Sequence, residues 1–152
     1  MTFKSLMTGF SVSSQLTESD LARAADAGFT LIVCNRPDGE EPNQPTAAAM
    51  ANAAARLGLG FVHVPVVAGR IADADVARMR EALAAAPGPV LAYCRTGTRS
   101  ATLWALANAG SRPVDQILDA ASAAGYDLTH LRSRLLSAGG PSSGPSGRVF
   151  DV

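Results

Sequence analysis

Cys94 and Arg99 stand with four residues between them in the segment Cys94-Arg95-Thr96-Gly97-Thr98-Arg99-Ser100, which joins an apolar run, 90–93, to a helix-forming stretch. A cysteine on a glycine-containing turn between a buried strand and a helix N-terminus is placed to act as a nucleophile. The first N–H groups of a helix lack internal partners, and the macrodipole adds about half a positive charge there, so that position holds an anion and favours ionised sulfur. Arg99 would reach back from the first helical turn, and Gly97 would let the loop amides turn inward. The expected catalytic groups are Cys94, Arg99 and Ser100, the last as a hydroxyl that bonds the thiolate. Arg95, Thr96, Gly97, Thr98 and Arg99 are the expected anion binders, the threonines through their backbone N–H groups. The chemistry such a loop supports is covalent group transfer through sulfur.

A second polar segment can supply what the first lacks. Residues 35–45 carry three prolines and a glycine, so they form a loop, and a loop that directly follows a strand is where sites are built. Asp38 and Glu40, and with them Glu41, are candidate proton donors, and Arg36 is a candidate anion binder. Their plain alternative is turn and capping work. Cys34, at a strand end, reads as a small core residue, with a resolving thiol for Cys94 as the other reading. His63 lies in an apolar strand and His130 on a terminal helix, a spacing that suits no metal, so neither a metal nor a cofactor is expected.

The elements that must position these residues follow from periodicity and punctuation. A weak strand is expected over 6–10, then a helix opened by the capping-box spacing of Thr17 and Asp20 and closed by Gly28. Residues 30–34, 61–64 and 90–93 read as strands, and 46–57 and 73–86 as the helices between them. Further helices are expected over 99–109, 113–124 and 127–138. Strand-then-helix alternation predicts an α/β fold of three layers, a central, mostly parallel sheet flanked by helices, with ligands beyond the carboxyl ends of the strands. Cys34 and Cys94 both fall at that edge.

At 152 residues the chain has the length of one domain, here 1–138, followed by a Gly/Ser/Pro-rich tail, 139–152, expected to be mobile. Thirteen basic and thirteen acidic residues cancel, which argues against a nucleic-acid or membrane partner, and any anion site must be local. No apolar run suits a leader or a membrane span, and two cysteines in apolar contexts fit a reducing, cytoplasmic setting.

The loop resembles that of rhodanese-type sulfurtransferases, which also place four residues between Cys and Arg and a glycine three after the Cys, whereas cysteine phosphatases have five residues there. Residues 30–40, His63-Val64-Pro65-Val66 and 88–100 together resemble the phosphatase-like domain of the β-lactamase-hydrolase-like family, also described as a family of unclassified sulfurtransferases. That resemblance implies the dual-specificity phosphatase fold. It also exposes two departures: phosphatase relatives carry an aspartate acid after His-x-Pro-Val and a histidine before the nucleophile, and here those places read Val66-Val67-Ala68-Gly69 and Tyr93. Loss of a general acid typically costs roughly 10²–10⁴ in rate. The expectation is sulfane-sulfur transfer through a Cys94 persulfide, from a small anionic sulfur donor to a thiol acceptor. The alternative is phosphomonoester hydrolysis through phosphocysteine, with Asp38 or Glu40 as acid. A third reading is a redox- or anion-sensing module without turnover.

Overall fold

The structure, a computed structural model, describes residues 3–139. In chain order the elements are β1 (Lys4–Met7), β2 (Phe10–Ser13), α1 (Glu18–Asp26), β3 (Leu31–Cys34), α2 (Ala47–Arg56), β4 (Gly60–His63), α3 (Asp73–Ala85), β5 (Val90–Tyr93), α4 (Thr98–Ala107), α5 (Val114–Ala123), a 3-10 turn over Thr129–Leu131, and α6 (Arg132–Gly139). One sheet runs β1-β2-β5-β3-β4, with β1 antiparallel to β2 and every other pairing parallel.

Both faces of β3 and β5 are covered, so their side chains divide by alternation between two cores. Leu31, Val33, Val90 and Ala92 join the core under α3, α4, α5 and α6, which also takes Leu103, Trp104, Leu106 and Ile117. Ile32, Cys34, Leu91 and Tyr93 point the other way, into the core shared with Leu21, Ala24, Met50 and Ala54 of α1 and α2. This is the three-layer, mostly parallel arrangement expected. Both middle strands are buried along their whole length, which fixes their register and therefore where Cys34 and Cys94 emerge.

The helix starts are set by side chains. Thr17 Oγ1 accepts the Asp20 N–H at 3.2 Å while the Thr17 N–H donates to Asp20 Oδ2 at 2.8 Å, closing the capping box at α1. Two expectations need correction. The single strand over 6–10 is instead a hairpin whose turn is Thr8-Gly9, because Gly9, at φ +86°, turns the chain where continued strand was expected. The last helix does not start at 127. The Asp127 carboxylate accepts the Thr129 N–H at 3.1 Å and hydroxyl at 2.7 Å, holding a 3-10 turn, and α6 begins only at Arg132. The expected tail lies outside the described residues beyond Gly139. Among the described residues no helix is long and apolar enough to cross a membrane.

Trp104 anchors the larger core: it is buried and stacks on Phe10, ring centroids 6.2 Å apart and planes 16° from parallel. Its indole N–H has no hydrogen-bond partner among the described residues. Trp104→Ala is expected to lower the unfolding free energy by about 3–5 kcal/mol in urea titrations. Trp104→Phe, which removes the unpaired N–H while keeping the ring stack, is expected to cost clearly less.

Candidate active site

β5 ends at Tyr93, and the chain then makes a turn that becomes the N-terminus of α4. Gly97 sits at φ +98° as the residue capping that helix, a conformation reached without strain only by glycine. Its N–H donates to the Cys94 sulfur at 3.1 Å, so the loop does fold an amide onto Sγ. Cys94 is fully buried, with its sulfur beneath the loop rather than on the surface. Packed behind the loop, Tyr126 donates its hydroxyl to the Thr96 carbonyl at 3.4 Å. The fit is close: a Cβ on Gly97 would lie 2.3 Å from the Tyr126 Oη.

A buried asparagine ties the strand ends together. The Asn35 backbone N–H donates to the Tyr93 carbonyl at 2.8 Å, its side-chain amide donates to the Val64 carbonyl at 3.0 Å, and its carbonyl accepts the Val66 N–H at 3.1 Å. Its Oδ1 accepts the Ser100 hydroxyl at 2.8 Å. Ser100 was expected to bond the thiolate; its hydrogen bond goes to Asn35 instead, which clamps α4 to the end of β3 across 65 residues of chain. Sequence reasoning missed Asn35, since a polar residue just after a strand has no local signature for a four-way junction.

The electrostatics centre on Glu40. Its carboxylate takes two hydrogen bonds from Arg99, Nη1 to Oε2 at 2.7 Å and Nη2 to Oε1 at 2.9 Å, and a third from Arg36 Nε at 2.8 Å. Arg99 Nη1 also donates to the Val66 carbonyl at 2.9 Å. These bonds, Arg99 first, pull the Glu40 carboxyl down to a pKa of about 2. Because the shift is downward from the ordinary carboxyl range, Glu40 adds stability above that range and gives it up as pH falls toward 2. Glu40, and after it the nearby Cys94 sulfur, in turn raise the pKa of Arg99.

The remaining expected residues divide by what holds them. Arg36 is buried, and each of its three nitrogens already has a protein acceptor: Glu40, Glu41 at 2.6 Å and Gln15 at 2.9 Å. It supports the loop from within rather than lying open to an anion. Asp38 accepts the Ala47 N–H at 2.8 Å and so caps α2, the plain alternative for that residue. Glu41 is held ionised by Arg36 and lies near Arg95, 3.9 Å away. Of the three acids expected as possible proton donors, Glu40 and Glu41 are held as carboxylates by arginines, and Asp38 is engaged at the start of α2. Thr96 and Thr98 join their hydroxyls at 3.2 Å, and the Thr98 N–H points to Thr96 Oγ1 at 3.5 Å. Burial raises the pKa of the Cys34 thiol, which is bonded to Tyr93 and to the Arg36 carbonyl, an environment that suits a core residue better than a thiolate donor.

An open cleft of about 460 Å³ lies over this group, lined by Arg36, Arg95, Arg99, Glu40, Glu41 and the Val67-Ala68 backbone turn. Three guanidiniums there face two carboxylates, which leaves positive charge beside the loop that holds Cys94.

The chain is similar to known proteins in sequence and in overall fold. The sequence profile of the family described as beta-lactamase hydrolase-like protein, phosphatase-like domain matches residues 2–111. A beta-lactamase hydrolase-like protein from Xylella fastidiosa is 38% identical over 119 residues, which are 77% of this chain and 28% of that protein. The chain thus spans under a third of the length of such relatives. A crystal structure from Neisseria meningitidis, of a protein provisionally described as a phosphatase, superposes with a TM-score of 0.81 at 42% identity, covering 91% of this chain and 99% of that one. A kinase-associated phosphatase, solved with its catalytic-site cysteine changed to serine, shares the fold with a TM-score of 0.66 at 15% identity, over 84% of this chain and 83% of that one.

Gly97→Ala is expected to disrupt the loop, because the new methyl meets Tyr126 and the backbone must hold a left-handed conformation at a cost of about 1–3 kcal/mol. Thermal denaturation should show a modest loss, and the rate of Cys94 alkylation should change far more than that of a Tyr126→Phe variant.

Proposed function

This chain belongs to the family described as beta-lactamase hydrolase-like protein, phosphatase-like domain, and on that premise we propose that it transfers sulfane sulfur, carried as a persulfide on Cys94. The observation that carries the reading is the state of the cleft's acids. Glu40, at a pKa of about 2, and Glu41, also lowered, are held ionised by arginines, and Asp38 is spent on capping α2. A phosphomonoesterase must protonate an alkoxide or phenoxide as it departs, and a missing general acid costs roughly 10²–10⁴ in rate.

Sulfur transfer makes no such demand. With thiosulfate as donor, the Cys94 thiolate attacks the outer sulfur, the S–S bond breaks with its electron pair leaving on sulfite, and Cys94 becomes a persulfide anion. An acceptor thiolate then attacks the terminal sulfur, forming its own persulfide and restoring the Cys94 thiolate. No proton moves to a leaving group in either step. The Gly97 N–H and the Arg99 charge supply the fixed positive surroundings that an anionic persulfide needs. The four-residue spacing of Cys94 and Arg99 supports the same reading, since a phosphoryl group asks for a wider cradle.

A second reading, phosphomonoester hydrolysis through phosphocysteine, is favoured by the likeness to phosphatases in family and fold. With the same cleft it would be confined to esters whose leaving groups depart without a proton. Both readings make this domain an enzyme acting through Cys94, and the activity of the much longer relatives bears on it only as far as this domain extends.

Incubation with thiosulfate should add one sulfur, about 32 Da by intact mass, lost again on adding cyanide or a thiol, with release of sulfite in the first step. Cys94→Ser should take up none. Aryl phosphate turnover by the wild type, at rates matching or exceeding sulfur transfer and with no mass gain, would replace the first reading by the second.

A further inference from the structure

Arg99 and Ala68 line two hollows, the open cleft over Glu40 and a second cavity of about 380 Å³ on the other side, between the segment around Gly69, the outer face of α4 and the 3-10 turn leading into α6. The two differ in charge. Whereas the first holds two carboxylates, none of the described residues lining the second is acidic. Arg134 and His130 face it from the C-terminal side, Thr98 and Thr102 offer hydroxyls from α4, and Ile71 and Leu131 supply apolar floor. Arg134 pairs with the Asp73 carboxylate, 3.4 Å away and fully exposed, a weak surface pair that a better-placed anion displaces. Arg99 itself is already committed to Glu40 by two hydrogen bonds, so the less firmly held cationic group of this cavity is Arg134.

We propose that this cavity is the acceptor subsite: it binds the carboxylate end of a small organic thiol while the thiol's sulfur reaches the loop over Cys94. The proposal rests on the sulfur-transfer reading. It follows from three features together. The cavity takes Thr98 and Arg99 from the first turn of α4, the helix that the Cys94 loop leads into. Its volume exceeds what a thiosulfate ion needs and suits a small organic molecule. Its mixture of two guanidiniums, one of them already paired with Glu40, one imidazole and an apolar floor selects a molecule with a carbon skeleton and a terminal carboxylate over a bare inorganic anion. Transfer to such an acceptor conserves atoms and electrons: its thiolate takes the terminal sulfur of the Cys94 persulfide, and the pair of electrons in the broken S–S bond returns to Cys94.

The test compares two acceptors with thiosulfate as common donor, mercaptosuccinate with two carboxylates and 2-mercaptoethanol with none, following sulfite release. Arg134→Gln is expected to raise KM for mercaptosuccinate roughly tenfold, the loss of one charge-assisted hydrogen bond, while leaving KM for 2-mercaptoethanol and the first half-reaction unchanged. Arg134→Lys should recover part of the loss, and Asp73→Asn, by freeing Arg134, should lower KM for mercaptosuccinate. Equal KM values for the dicarboxylate in the wild type and Arg134→Gln, or an equal rise for both thiols, would overturn the subsite. Uptake of sulfur by Cys94 is read separately by mass, so a chain that gains sulfur but shows no discrimination loses the subsite alone. If no sulfur is taken up, the transfer reading falls. The cavity is then judged by NMR titration with succinate, where shifts at His130 and Arg134 that Arg134→Gln abolishes retain an anion site and identical titrations remove it.

Discussion

One carboxylate holds two arginines in place, and the geometry of the cleft depends on it. Glu40 accepts both terminal nitrogens of Arg99 and the Nε of Arg36, so the proline-rich loop is fastened at once to the first turn of α4 and to the end of β3. The exchange is reciprocal. The arginines keep Glu40 ionised, and Glu40 keeps Arg99 turned toward the Val66 carbonyl and the Cys94 sulfur instead of into solvent. An arginine fixed in this way contributes its charge without the side-chain entropy that an exposed one would lose on meeting a ligand. The cost is chemical, because a carboxyl group clasped by two guanidiniums has no proton to give at neutral pH.

The scaffold delivers these groups by ordinary α/β logic. β3 and β5 are adjacent and parallel, in register Cys34 against Tyr93, so the two segments that leave their carboxyl ends start side by side. One becomes the Cys94 loop and the other the acidic, proline-rich loop. Asn35 then joins them by satisfying backbone groups of β5 and of the segment after β4, and by holding the Ser100 hydroxyl of α4. Tyr126 closes the loop from outside, so that Gly97 has room for hydrogen but not for a methyl group. A fold shared with phosphatases thus carries here a Cys94 loop with four residues before Arg99 and a carboxylate, Glu40, that is held between two arginines.

The central strands and the helices between them were legible because each is a run of β-branched and apolar residues or a capped amphipathic stretch, and both signals are local. The turn from β5 into α4 was legible for the same reason: a cysteine, one glycine and a helix start in short order. The hairpin over β1 and β2 was not, since its two four-residue strands are too short for periodicity to separate from the turn at Gly9. The acidic loop was legible as a site component but not in its role. Whether Glu40 is an acid or an anchor is decided by Arg99, 59 residues away, and nothing in the order Asp38-Gly39-Glu40-Glu41 distinguishes the two. Ser100 and Asn35 were opaque in the same way, their bond spanning 65 residues.

The claim on which the rest stands is that the two guanidiniums of Arg99 and Arg36 keep the carboxylate between them ionised down to about pH 2. Carbon-13 NMR of the Glu40 carboxyl, followed from neutral pH downward, tests it directly. The account predicts no titration of that signal above about pH 3, with a midpoint near 2. A midpoint above the ordinary carboxyl range, near 6, would put a proton on Glu40 under working conditions, restore a general acid to the cleft and contradict the assignment of sulfur transfer over phosphate ester hydrolysis.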